Sequence, residues 1–83
     1  MRSIMDAFEH GVRDLGFKYR RHGYEFYIGN GEKFLFVVVF FPQWGQVTIF
    51  LTRYGETLIS RIMSLLRRAA REIQLKFDIR KLY

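Results

Sequence analysis

The chain has 83 residues, of which 49% are hydrophobic, 27% are charged and 18% are aromatic, and it contains no cysteine. This length predicts a single domain over residues 1–83 with one modest core. The lack of cysteine excludes disulfide bonds, thiolate metal sites and cysteine catalysis. The longest apolar run, residues 34–41, is too short to cross a bilayer. Charged side chains interrupt the N-terminal apolar positions, so we expect no signal peptide, no membrane association and an intracellular, cytoplasmic location.

The net charge of +6 is unevenly distributed along the chain. Residues 57–83 carry seven basic side chains against two acidic ones, which gives this segment a net charge of +5. A localised positive charge of this kind is what an anionic partner requires, because phosphate neutralisation releases counterions. A solvated helix face is the alternative explanation for such a run of charge.

The first helix is predicted between Ser3, which is a good N-cap residue, and Gly16, which is a good residue to follow a helix. Apolar residues recur at helical spacing between these two positions, while charged residues fill the opposite side of the helix. The apolar positions are Ile4, Ala7, Phe8, Val12 and Leu15.

From residue 17 to residue 28 the apolar period changes to two, which predicts a pair of antiparallel strands. The dipeptide formed by Asn30 and Gly31 favours a two-residue type I′ hairpin turn into the next strand. A turn of that length places Phe26 opposite Leu35.

The following hairpin is predicted to have a three-residue loop that closes on Gly45, which places Val39 opposite Ile49. In this register one face of the sheet is left without a helix to cover it. The residues expected on that face are Tyr27, Phe34, Phe36, Val38, Phe40 and Phe50. Because so large an apolar patch is rare on a soluble monomer, we expect these residues to form a homodimer interface. A slipped register, coverage by residues 75–83, a stacking platform for single-stranded bases and another protein partner are the alternatives.

The second helix is predicted to begin after Thr57 and to bury an apolar stripe that runs from Leu58 to Ile73. Alternation of Leu75, Phe77 and Ile79 favours a short last strand at about residues 74–80 over a longer helix. The predicted fold is therefore α+β, in the order α-β-β-β-β-α-β. It is a four-stranded antiparallel meander with two helices on one face and a short C-terminal strand.

The candidate binding residues are basic side chains on the polar side of the second helix and near the start of the sheet. They are Arg61, Arg67, Arg68 and Arg71 on the helix, supported by Lys18, Arg20 and Arg21. Arginine suits phosphate recognition and base stacking, and we find no motif that reads a DNA groove. The sequence thus predicts a small, non-catalytic module that binds the backbone or shape of RNA or DNA. The alternative is a protein-interaction or inhibitor module of a viral or mobile-element type, which would use the aromatic sheet face.

Enzymatic chemistry is not expected from either histidine. His10 shares a helix face with Asp6 and Asp14, but there is no further ligand to complete a metal site. His22 lies in a basic turn without an identifiable acid or base partner. We therefore expect no metal, no cofactor and no hydrolytic activity that depends on histidine.

Overall fold

The computed structural model describes residues 1–71 and 73–83. Its elements are α1 (Arg2–Asp14), β1 (Lys18–His22), β2 (Glu25–Gly29), β3 (Phe34–Phe41), β4 (Gln46–Leu51), α2 (Ile59–Ala69) and β5 (Lys76–Lys81). Short 3-10 segments at Pro42–Trp44 and Arg53–Leu58 precede and follow β4. This architecture confirms the predicted α+β fold and its order, including the short last strand.

The five strands form one sheet in the order β1-β2-β3-β4-β5. The first four strands pair antiparallel, whereas β5 pairs parallel to β4. A parallel pair needs a long crossover, which the 3-10 segment and α2 supply together. The C-terminal strand therefore lies at the edge of the sheet, beside β4.

Both helices are present, but the N-cap residue predicted for each of them is wrong. α1 begins at Arg2 with Met1 in the N-cap position, so Ser3 lies inside its first turn. Thr57 belongs to the 3-10 segment that leads into α2, because the chain is already helical there. Neither of the two described α-helices is long and apolar enough to cross a membrane.

The two helices cover one face of the sheet and also pack against each other. A Cβ atom on Gly11 of α1 would lie 2.6 Å from Cδ2 of Leu65, so a glycine here permits the close approach of α2. Below the helices, the rings of Phe8, Phe26 and Phe40 meet edge to face with centroids 5.1 to 5.7 Å apart. All three side chains are fully buried, so this trio links α1 to the centre of the sheet.

The predicted turn between β2 and β3 is wrong. Asn30 Oδ1 accepts hydrogen bonds from the backbone N–H groups of Glu32, at 2.9 Å, and Lys33, at 2.7 Å. The loop is consequently four residues long, and the strand irregularity beside Gly29 shifts the pairing further. Phe26 lies opposite Val38 instead of Leu35, a difference of three residues.

The register of the next hairpin, between β3 and β4, also differs from the prediction. Its loop has four residues, Pro42–Gly45, and the left-handed conformation of Gly45, with a φ of 58°, closes it. Val38 therefore lies opposite Ile49, one residue away from the predicted Val39. Because both displacements are odd numbers of residues, the two faces of β3 are exchanged relative to the prediction.

This exchange corrects the predicted homodimer interface. Phe36, Val38 and Phe40 are at most 1% exposed and lie in the core beneath the helices, so they are not on the uncovered face. Tyr27, Phe34 and Phe50 do lie on that side, joined by alternate residues of β3.

Candidate nucleic-acid interface

The outer side of α2 carries three of the four arginines that the sequence singles out. The predicted placement of Arg71 on the helix is wrong, because α2 ends at Ala69 and Arg71 lies in the turn that follows. The inner side of α2 buries Ile62, Leu65 and Leu66 in the core, and the amphipathic spacing turns the basic residues away from the sheet. We call the following four exposed residues the α2 arginine surface: Arg61, Arg67, Arg68 and Arg71. Within residues 1–71 and 73–83, none of these four side chains forms an ion pair.

A shallow cleft of about 270 Å³ separates α1 from α2, and Arg61 and Arg68 line it. Two neighbouring hollows, which Arg71 also lines, share Arg68 as a common wall. Asp14 of α1 borders the same cleft and is the acidic side chain on its rim. Arg68 is thus the central cation of this side of the molecule, and a phosphate oxygen in the cleft would meet two guanidinium groups.

Arg67 lines a different hollow, of about 450 Å³, between the end of α2 and β5. Lys76 and Phe77 of β5 form the opposite wall of that hollow. The cationic surface therefore continues from the helix layer to the edge of the sheet, which sequence reasoning did not predict because it could not place β5.

The three basic residues predicted on β1 do not lie together. Lys18 and Arg20 are exposed on the side of the strand that faces away from the helices. Arg21 points toward α1 instead, where its guanidinium contacts carboxylate oxygens of Asp6, at 2.9 Å, and Glu9, at 2.7 Å. Its charge is neutralised there, so we remove Arg21 from the candidate interface.

Arg21 belongs to a polar cluster that fastens α1 to β1. The hydroxyl of Tyr19 donates a 2.6 Å hydrogen bond to Glu9, and Arg13 donates a 2.8 Å hydrogen bond to that hydroxyl. These hydrogen bonds from Tyr19 and Arg21 lower the pKa of Glu9, and the one from Arg21 lowers the pKa of Asp6. The cluster keeps both carboxylates ionised and serves the fold.

The second candidate surface is the open sheet face, defined by the outward residues of the strands on the side without helices. Its aromatic members are Tyr27, Phe34, Phe41 and Phe50, with Trp44 at one end. The Tyr27 and Phe34 rings form an edge-to-face pair with centroids 6.1 Å apart, and Trp44 stacks on Phe41 at 5.4 Å. Tyr27 is 37% exposed, Phe34 49% and Trp44 63%. The Glu25 carboxylate accepts the Tyr27 hydroxyl proton in a hydrogen bond, which raises the pKa of this phenol.

Both histidines lie on the surface of the folded protein. His10 is exposed on α1 and His22 is exposed at the end of β1. Among the residues that the structure describes, no three His, Asp or Glu side chains are grouped closely enough to hold a metal ion. The arrangement offers exposed cations and aromatic rings, groups whose chemistry suits anionic and planar ligands.

Comparison of the chain with protein families, with curated proteins and with solved structures finds no match. The functional interpretation therefore depends on the geometry and charge of the two surfaces.

Proposed function

We propose that this protein is a small, non-catalytic nucleic-acid-binding module that contacts the phosphate backbone through the α2 arginine surface. The observation that carries the proposal is the exposure of three arginines on the outer side of a helix whose inner side is buried in the core, with a fourth, Arg71, exposed in the turn just beyond it. Because α2 is anchored by that burial, the guanidinium groups project from a rigid base.

The spacing of these arginines suits a regular array of phosphates. Arg61 and Arg68 are two helical turns apart, which corresponds to about 10 Å along the helix axis. Four successive phosphates along one strand of double-stranded DNA, about 3.4 Å apart along the axis, span about the same distance. Arg68 and Arg71, which lies just beyond the helix, line the same two hollows. Contacts of this kind position a protein on a duplex and carry no sequence information.

The test replaces all four arginines of the surface by glutamine and measures binding to a mixed-sequence duplex by fluorescence anisotropy. We expect affinity to fall by about tenfold or more at 0.15 M salt, and the salt slope to decrease by about four, one for each lost phosphate contact. Binding should weaken equally for all duplex sequences.

A matched control distinguishes binding at the α2 arginine surface from attraction by the overall positive charge of the protein. The control also replaces four exposed cations by glutamine, so its net charge equals that of the test variant. Its positions lie elsewhere in the fold: Arg2, Lys33, Arg53 and Lys81. We expect this control to retain most of the affinity. Equal weakening by both variants, with folding intact, would contradict the proposal.

A further inference from the structure

The open sheet face brings cations and aromatic rings into one row that crosses all five strands. Successive cross-strand partners in this row are Arg20, Tyr27, Val37, Phe50 and Arg80. The row thus has an arginine on each edge strand and two aromatic side chains between them. Neighbouring strands lie about 4.8 Å apart, so the two aromatic residues are separated by about 10 Å.

From this row we propose that the open sheet face binds unpaired bases of a single-stranded nucleic acid. Tyr27 and Phe50 would stack on bases, while Arg20 and Arg80 would contact the phosphates on either side. This inference rests on the proposed nucleic-acid function and adds to it strandedness and a second surface. The α2 arginine surface lies on the other side of the sheet, so the two sites can be tested separately.

The charges on this face favour an anionic occupant. Lys18 and Arg20 are adjacent on this face of β1, and Lys76 and Arg80 lie on this face of β5 with Asp78 between them, so both edges of the face keep a net positive charge. The face also holds two carboxylates, each of which already accepts a hydrogen bond within it. Glu25 accepts one from Tyr27, and Asp78 accepts one from Arg80 at 2.9 Å. Arg80 differs from Arg21, because it has a single carboxylate partner and its side chain is 67% exposed against 25%, so its guanidinium stays accessible to a phosphate.

The same charges disfavour a second copy of the chain as the occupant. If two copies packed face to face, the basic edge strands of the first copy would lie against the basic edge strands of the second copy or at the rim of the interface. Like charges at an interface cost free energy, whereas a polyphosphate strand would neutralise both edges. The aromatic rings in the middle then provide a stacking surface that tolerates any base.

The experiment uses the full chain with a 12-nucleotide oligouridylate and, in parallel, a blunt RNA duplex. Trp44, the single tryptophan of the sequence, stacks on Phe41 at one end of the open sheet face and reports on its occupancy. We expect the single strand to change Trp44 fluorescence, and the duplex to leave it nearly unchanged.

The decisive variant is the double substitution Tyr27→Leu with Phe50→Leu, which removes two aromatic rings and keeps apolar side chains. Oligouridylate binding should weaken by about tenfold or more, since base stacking on one aromatic ring is worth about that factor. Tyr83→Leu removes an exposed aromatic ring away from this face and should leave binding unchanged. If the double variant unfolds, Arg20→Gln with Arg80→Gln replaces it, with an expected decrease of about 1.4 in the salt slope for a single strand.

The outcomes distinguish the two sites. Loss of duplex binding in the α2 glutamine variant, with Trp44 still responding to oligouridylate, supports both proposals. If the α2 glutamine variant binds the duplex as tightly as the parent protein, the α2 site is contradicted. If Trp44 in that variant still responds to oligouridylate, the sheet site is supported. Unchanged oligouridylate affinity in the sheet variants would overturn this inference. The inference would also be overturned if light scattering showed a dimer that the double variant Tyr27→Leu with Phe50→Leu converts to monomers. Binding of a protein partner to this face that does not depend on salt would overturn it as well.

Discussion

The two faces of the sheet are both rich in aromatic residues, yet their surroundings differ completely. On the helix-covered face, Phe26, Phe36 and Phe40 are fully buried and contact one another or residues of the first helix and its loop. On the open face, Tyr27 and Phe34 keep between a third and a half of their surface in contact with solvent. The helix-covered face therefore stabilises the fold, whereas the open face has aromatic surface that is accessible to a ligand.

The largest effect that separates the two faces concerns stability. We expect Phe40→Ala to lower the free energy of unfolding by about 3–5 kcal/mol, because it removes one fully buried ring of the phenylalanine trio. A small domain has only about 5–15 kcal/mol to lose, so this variant will be partly unfolded at ordinary temperature. Urea denaturation followed by circular dichroism measures the change.

The matched substitution on the open face is Phe34→Ala. It should cost about 1 kcal/mol or less, because half of this side chain is already exposed. If Phe34→Ala destabilises the protein as much as Phe40→Ala does, the open face is a covered core surface and the comparison fails.

A smaller effect concerns pH and the polar cluster on the helix-covered side. The pKa values of Glu9 and Asp6 are lowered in the folded protein from ordinary values of 4.5 and 3.8. Their contribution to stability is therefore complete above about pH 5 and is lost as the pH falls through the lowered values. We expect Glu9→Gln to flatten the dependence of the melting temperature on pH between 5 and 3.

Both groups are partly in contact with solvent, so the cost of Glu9→Gln at neutral pH should stay at about 1 kcal/mol or less. Asp78→Asn is the matched control on the open face, where Asp78 pairs with Arg80 only two residues away. It should change stability by less than about 0.5 kcal/mol and leave the acid limb of the curve intact. An equally flattened curve in Asp78→Asn would show that the α1–β1 cluster has no special role.

The sequence predicts the kind and order of the elements correctly, because each has its own local pattern. Helical spacing marks α1 and α2, alternation marks β1 and β2, and Gly16 follows the first helix with a φ of 83° as expected. The last strand is also predictable, since continuation of α2 would have placed Leu75 among the arginines.

The sequence does not predict which face of β3 is buried. Residues 34–41 are apolar at every position, so neither register leaves a polar residue in the core. The loops therefore determine the register of β3. The Asn30 side chain accepts hydrogen bonds from two backbone N–H groups and so stabilises a four-residue loop. Side-chain capping of this kind competes with the type I′ turn that Asn-Gly favours, and sequence pattern alone does not rank them.

The candidate site is predictable to a similar degree. Helical spacing correctly places Arg61, Arg67 and Arg68 on the outer side of α2, whereas Arg71 lies beyond the helix, whose end has no glycine or proline to mark it in the sequence. The separation of Arg21 from Arg20 follows from strand alternation, but the partners of Arg21 depend on how α1 crosses β1. The row that ends in Arg80 depends on the parallel pairing of β5, which is a long-range feature without a local signal.

The most direct test of the two proposed nucleic-acid surfaces, on opposite sides of the sheet, is chemical-shift mapping with isotopically labelled protein. Titration with duplex should shift the side-chain signals of Arg61, Arg68 and Arg71 and leave the amides of β2 and β3 nearly unchanged. Titration with oligouridylate should shift the amides around Tyr27, Val37 and Phe50. Shifts confined to one surface with both ligands, or on neither, would contradict the account.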